Sequence, residues 1–150
     1  MRRAILLSLV LVACATNEAP QEDTAAAMSD DTAMLTAADV SGTWAGTSMA
    51  MDSDSVMSRW TIHTANDSMA HLMLEGTTDT IPYRVTYDAD SLIAVSEAYT
   101  APDMPETPVT FRSVGRLQPD GKLAGTVEIR LASNPDSVVS RERWESTRTP

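Results

Sequence analysis

The residues whose types and spacing bear most directly on chemistry are methionines and histidines. Met49, Met51, Met57, Met69 and Met73 fall at the same strand parity as His63 and His71 over three successive alternating segments. One face therefore gathers thioethers and imidazoles, and soft sulfur ligands select cuprous copper. Methionine is also adaptable apolar filler, and Met28 and Met34 lie outside these segments. Filler is the preferred reading, the copper-binding Met/His surface is the lesser one, and no metal ligand is assigned. Asp52 with Asp54, and Asp88 with Asp90, have a spacing that suits calcium but lack the glycine and distal glutamate of a calcium loop. Gly46-Thr47-Ser48-Met49-Ala50 falls one residue short of a Gly-X-Ser-X-Gly elbow and has no strand-to-helix context. A turn near Asn66 would set His63 opposite Met69 and Thr61 opposite His71, which assembles no nucleophile with a base. No catalytic residue and no cofactor is expected, and the chain is read as not an enzyme.

The elements that carry these side chains are strands. Short alternating runs separated by turn residues begin near Val40. The pattern predicts strands over Gly42 to Met51, Val56 to Thr64, Met69 to Glu75, Tyr83 to Tyr87, Leu92 to Tyr99, Val109 to Leu117, Leu123 to Leu131 and Val138 to Trp144. Pro119-Asp120-Gly121 reads as a hairpin turn with Gly121 at positive φ. The motif Asp-Ser followed by an apolar residue, at Asp54, Asp67, Asp90 and Asp136, reads as punctuation before a strand. The fold class expected is all-β, an antiparallel up-and-down meander of about eight strands closing into a small barrel, because closure removes exposed edges. An open β-sandwich is the alternative. Pro82 lacks a ladder donor, so the fourth strand is expected to start at Tyr83 or to border a gap. Trp44, Trp60, Leu72, Leu74, Tyr83, Phe111 and Leu117 are the inward candidates. Glycines 46, 115 and 125 and serines 48, 58 and 113 are expected to leave room among them.

The N-terminus has a different character. Arg2 and Arg3 precede the apolar run Ala4 to Val12, then Ala13 and Cys14, the sole cysteine. That order is the order of a secretory signal, and Leu11-Val12-Ala13-Cys14 resembles the lipobox of bacterial lipoproteins. The resemblance implies cleavage before Cys14 and lipidation of Cys14. Residues 1–13 are then signal peptide, 14–39 a lipidated cysteine with an acidic tether, and 40–150 the folded domain. The apolar run is far shorter than the roughly 20 residues a membrane-spanning helix needs, so membrane attachment rests on lipid alone. Ala15 and Thr16 lack the aspartate of an inner-membrane retention signal, which favours the outer membrane of a bacterial envelope, facing the periplasm. The tether is rich in Ala, Thr, Glu and Asp, and Asp30 to Ala38 supports at most a transient helix. The formal charge is -10. Removing Arg2 and Arg3 makes the remainder more acidic still, which argues against nucleic acid as a partner. With one cysteine the domain can hold no internal disulfide.

Val40-Ser41-Gly42-Thr43-Trp44, at the start of the first strand, resembles the Gly-X-Trp signature of lipocalins, avidins and their relatives. The resemblance implies a ligand-binding barrel in which Trp44 plugs one end and Arg143 or Arg148 packs over it. The expected role is a lipid-anchored binding barrel for a small apolar ligand. The alternative is a non-enzymatic structural or protein-interaction lipoprotein with a filled core and an envelope protein as partner. A meander places the connections near 52–55, 76–80, 101–108 and 133–136 at the end away from the tether. Thr100 to Pro108 is the longest of them, and long loops on rigid scaffolds collect binding residues. Tyr99 and Met104 are therefore the candidate ligand contacts, with Tyr83 and Phe111 deeper in the wall.

Overall fold

The structure is a computed structural model and describes residues 34–150. Cys14, the signal sequence and most of the expected tether lie outside the described residues. The strands are β1 (Thr43–Ala50), β2 (Val56–Asn66), β3 (Met69–Leu74), β4 (Thr80–Asp88), β5 (Ser91–Ser96), β6 (Tyr99–Thr100), β7 (Pro108–Leu117), β8 (Leu123–Leu131) and β9 (Asn134–Thr149). All pairings are antiparallel. Neighbours follow the order β5-β4-β3-β2-β1-β9-β8-β7-β6, and an additional β5–β7 pairing closes the ring. The result is an eight-stranded up-and-down barrel with the two-residue β6 outside the ring, paired to the start of β7. The expected barrel is therefore found and the open sandwich is not.

Alternation produces this wall. Along β7, Val109, Phe111, Ser113 and Gly115 are buried, while Pro108, Arg112 and Arg116 are exposed. The bonds between β1 and β9 run from Thr43↔Thr149 to Ala50↔Glu142, tying the two ends of the domain together. Gly121 has φ 81°, as the hairpin between β7 and β8 demands. The Asp-Ser motifs at Asp54, Asp67 and Asp90 lie at strand starts, whereas the one at Asp136 falls inside β9.

Pro82 corrects the expected start of the fourth strand. β4 begins at Thr80, and Pro82 pairs with His71 inside it. The proline is tolerated because β5 ends at Ser96, opposite Tyr83, and the Pro82 carbonyl still accepts from the Glu97 N–H at 3.2 Å. The second hairpin is also displaced from the expected register. β2 continues to Asn66 through an irregularity after Thr64, so His63 faces His71 and Thr61 faces Met73. Asn66 Oδ1 accepts from the Ser68 N–H at 3.0 Å, which shifts the turn to Asp67 and Ser68.

Packing begins before Val40. A single helical turn, α1 (Ala37–Val40), is preceded by Leu35, which is 6% exposed and belongs to the core. The Leu35 N–H donates to the Ala89 carbonyl at 2.9 Å, and the Asp39 carboxylate accepts from the Thr36 N–H at 2.9 Å. Hydrogen bonds from the Thr36 side chain and backbone hold the Asp39 carboxyl below its ordinary range. The last residues of the expected tether are thus part of the barrel's closed end.

Candidate functional site

The tryptophan next to α1 defines the closed end. Gly42 has φ 109°, a conformation that favours glycine, and it turns the chain from α1 into β1. Trp44 is 2% exposed, and its indole N–H donates to the Val40 carbonyl at 2.9 Å. The Arg148 guanidinium lies 4.7 Å from the Trp44 ring centroid and donates to the Ser41 and Asp39 carbonyls, the latter at 2.6 Å. Arg148 is therefore the arginine over Trp44. Arg143 is not, because it lies toward the other end of β9 and donates to Asp54 and to the Ser53 carbonyl.

Trp60 and Trp144 occupy the interior edge to face, with centroids 5.9 Å apart. Their indoles donate to Ser48 Oγ at 3.1 Å and Ser113 Oγ at 2.8 Å. A Cβ on Gly46 would collide with the Trp60 ring, and a Cβ on Gly115 with the Trp144 ring. A Cβ on Gly125 would meet the Val114 carbonyl and lie 2.7 Å from Gly115 Cα. These glycines and serines were expected to leave empty space. The glycines seat two indoles and Ser48 and Ser113 satisfy their N–H groups, while Ser48, Ser58 and Ser113 also border open space.

Space remains beside the indoles. A cavity of about 480 Å³ runs through the barrel, from Val40 and Trp44 at the closed end to Val56, Met57, Pro102 and Asp103 at the other. Met57 is 56% exposed, so this second end meets solvent. Ile62, Leu72, Val85, Ala94 and Val127 supply much of the apolar wall. Leu117, an inward candidate, is 38% exposed: it is the last residue of β7, paired with Leu123 next to the β7–β8 turn.

The structure brings together three of the four candidate contacts. Tyr83 and Phe111 have ring centroids 5.6 Å apart, Tyr99 and Phe111 6.1 Å, and all three line the cavity. Met104 does not line it. The chain turns back through Met104 N–H to Ala101 carbonyl (3.0 Å) and Thr107 N–H to Met104 carbonyl (3.1 Å), so Ala101, Pro102 and Asp103 reach the cavity instead. Burial raises the Tyr83 hydroxyl above its ordinary range, with Tyr87 adding to the effect. Burial, followed by the Glu142 and Asp103 carboxylates, pushes the Tyr99 hydroxyl up to about 12.

Glu142 is the residue that sequence reasoning missed. It is 6% exposed, lines the cavity, and accepts from Ser140 Oγ at 3.1 Å. Its flanks, Arg141 and Arg143, give it the look of a solvated charge run. Parity with Trp144 was the available signal, since Ser140, Glu142, Trp144 and Ser146 alternate onto one face of β9.

On the outside of the wall His63 and His71 are directly paired, and Thr43 Oγ1 lies 3.1 Å from His63 Nδ1. No group of three or more His, Cys, Asp or Glu side chains positioned to hold a metal occurs among the described residues. No protein-family model, no curated protein and no solved structure matches the chain.

Proposed function

We propose that the chain is an envelope lipoprotein, anchored through lipidated Cys14 at the outer membrane and facing the periplasm, whose lipocalin-like barrel binds a small apolar ligand. The observation that carries this reading is the 480 Å³ cavity, since eight-stranded barrels can also be filled by their own side chains. Its size lies within the roughly 300–1,000 Å³ of small-molecule sites. Its wall is largely apolar and aromatic, with polar and charged side chains among them. Ser48 and Ser113 are already engaged by indole N–H groups, which favours binding over catalysis. Gly42 and Trp44 beneath Arg148 support the lipocalin likeness.

The binding test is titration of the protein with a neutral apolar alcohol, decanol, followed by tryptophan fluorescence. All three tryptophans line the cavity, so saturable quenching or enhancement at one decanol per chain is expected. A signal that never saturates, or none, favours the filled-core alternative with an envelope protein as partner. The address is tested by mass spectrometry of the N-terminal peptide from the native host. A lipid-modified peptide beginning at Cys14 is expected, and an unmodified N-terminus beyond Cys14 refutes the lipoprotein reading.

A further inference from the structure

The cavity wall is not electrically neutral, and its imbalance bears on what the ligand carries. Four ionisable side chains besides tyrosine line it: Arg59, Glu75, Asp103 and Glu142. Arg59 and Glu75 form an ion pair at 3.8 Å and cancel one another. Asp103 and Glu142 make no salt bridge among the described residues.

Glu142 carries most of the argument. The residue is 6% exposed, and its one side-chain hydrogen bond among the described residues is from the Ser140 hydroxyl to Oε1. Oε2 accepts none. The two arginines beside it in sequence do not help, because strand alternation sends them to the outer face. There Arg141 pairs with Glu128 at 2.9 Å and Arg143 with Asp54. Glu142 thus presents an unpaired carboxylate oxygen to the cavity, and the arginines at both adjacent positions are paired elsewhere. Glu142 lies on β9 between Ala50 of β1 and Val127 of β8, beyond Trp144 toward the open end. Asp103 comes from the loop at that same end, and both carboxylates act on Tyr99.

Resting on the reading of the cavity as a ligand site, we infer that the ligand is an amphipathic organic cation. Its apolar body lies against Trp60, Trp144 and Phe111, and its ammonium is held near the open end by Glu142, with Asp103 as the outer charge. A charge-assisted hydrogen bond in a desolvated site separates this ligand from a neutral one of equal length.

The test compares decylammonium, decanol and decanoate on the full chain, produced without export so that Cys14 carries no lipid, using tryptophan fluorescence and calorimetry. The expected order is decylammonium tightest, decanol about tenfold weaker, and decanoate weakest. Glu142→Gln should remove most of the preference for decylammonium over decanol. The wild-type order stands as a test by itself if that variant fails to fold. Decanol binding as tightly as decylammonium to the wild type overturns the inference and leaves the apolar-ligand reading intact. Binding of none of the three overturns both.

Discussion

The two ends of this barrel are built from opposite materials. At the closed end every polar group of the plug has a partner: the Trp44 N–H has the Val40 carbonyl, Arg148 has two carbonyls and an indole face, and Asp39 has Thr36. At the open end Met51, Val56 and Met57 are exposed, a carboxylate is buried without a cation, and a loop folds over the mouth through two turns. The contrast teaches a division of labour. Paired, desolvated contacts concentrate at the closed end, and the two cavity carboxylates without a cation, Asp103 and Glu142, lie at the open end.

The largest expected effect separates the ends by stability. Trp44→Ala should cost about 3–5 kcal/mol in chemical denaturation, as for other buried aromatics, whereas Met57→Ala at the rim should stay within about 0.5 kcal/mol. Equal losses would dissolve the distinction.

The next effect belongs to the indole seats. Gly125→Ala forces a methyl against the Val114 carbonyl and Gly115, which is backbone and cannot move aside, and overpacking of this kind costs about 1–3 kcal/mol. The nearest atoms to a methyl at Gly46 belong to the Trp60 side chain, not to backbone. Gly46→Ala should cost less, and it should shift Trp60 fluorescence by pushing the ring into the cavity.

Arg148→Met comes third, at about 1–2 kcal/mol for a lost cation–π contact and carbonyl hydrogen bonds. Arg143→Met, which breaks an ion pair with a fully solvated Asp54, should be nearly silent. If Arg143→Met proved the more damaging, the assignment of Arg148 to the plug would be wrong.

The remaining effects are in pH, and they differ in direction between the ends. Tyr99 at the open end titrates at about 12 in the folded chain against about 10 unfolded. The unfolded chain then holds fewer protons, so this contribution is complete below pH 10 and is lost as pH rises toward 12. Asp39 at the closed end has a lowered folded value, so its contribution is present at neutral pH and is lost as pH falls through the acid range. Phenolate absorbance followed against unfolding midpoint checks the first, and amide exchange at Thr36 checks the second.

Much of the wall was legible in the sequence because alternation is a local property. Leu123 to Leu131 alternates cleanly and forms a strand over those residues. The Gly42-Thr43-Trp44 signature located the plug, although only three-dimensional register could choose Arg148 over Arg143. What sequence reading missed depends on partners distant in the chain. Gly46 looked like empty space because nothing local reveals that Trp60 lies over it. Leu35 looked like tether because its hydrogen-bond partner, Ala89, is far along the chain. His63 was assigned the wrong partner because a bulge after Thr64 moves the turn. Glu142 was overlooked because two neighbouring arginines masked its parity with Trp144.

The central claim is that the barrel interior is a ligand site entered from the end opposite Trp44. Its most direct test is a crystal structure of the protein soaked with an alcohol brominated at its tail. The account predicts anomalous bromine density inside the barrel, beside Trp60 and Trp144, with the hydroxyl toward Tyr99 and Glu142. Bromine found only on the outer surface, with the interior collapsed around its own side chains, would contradict it.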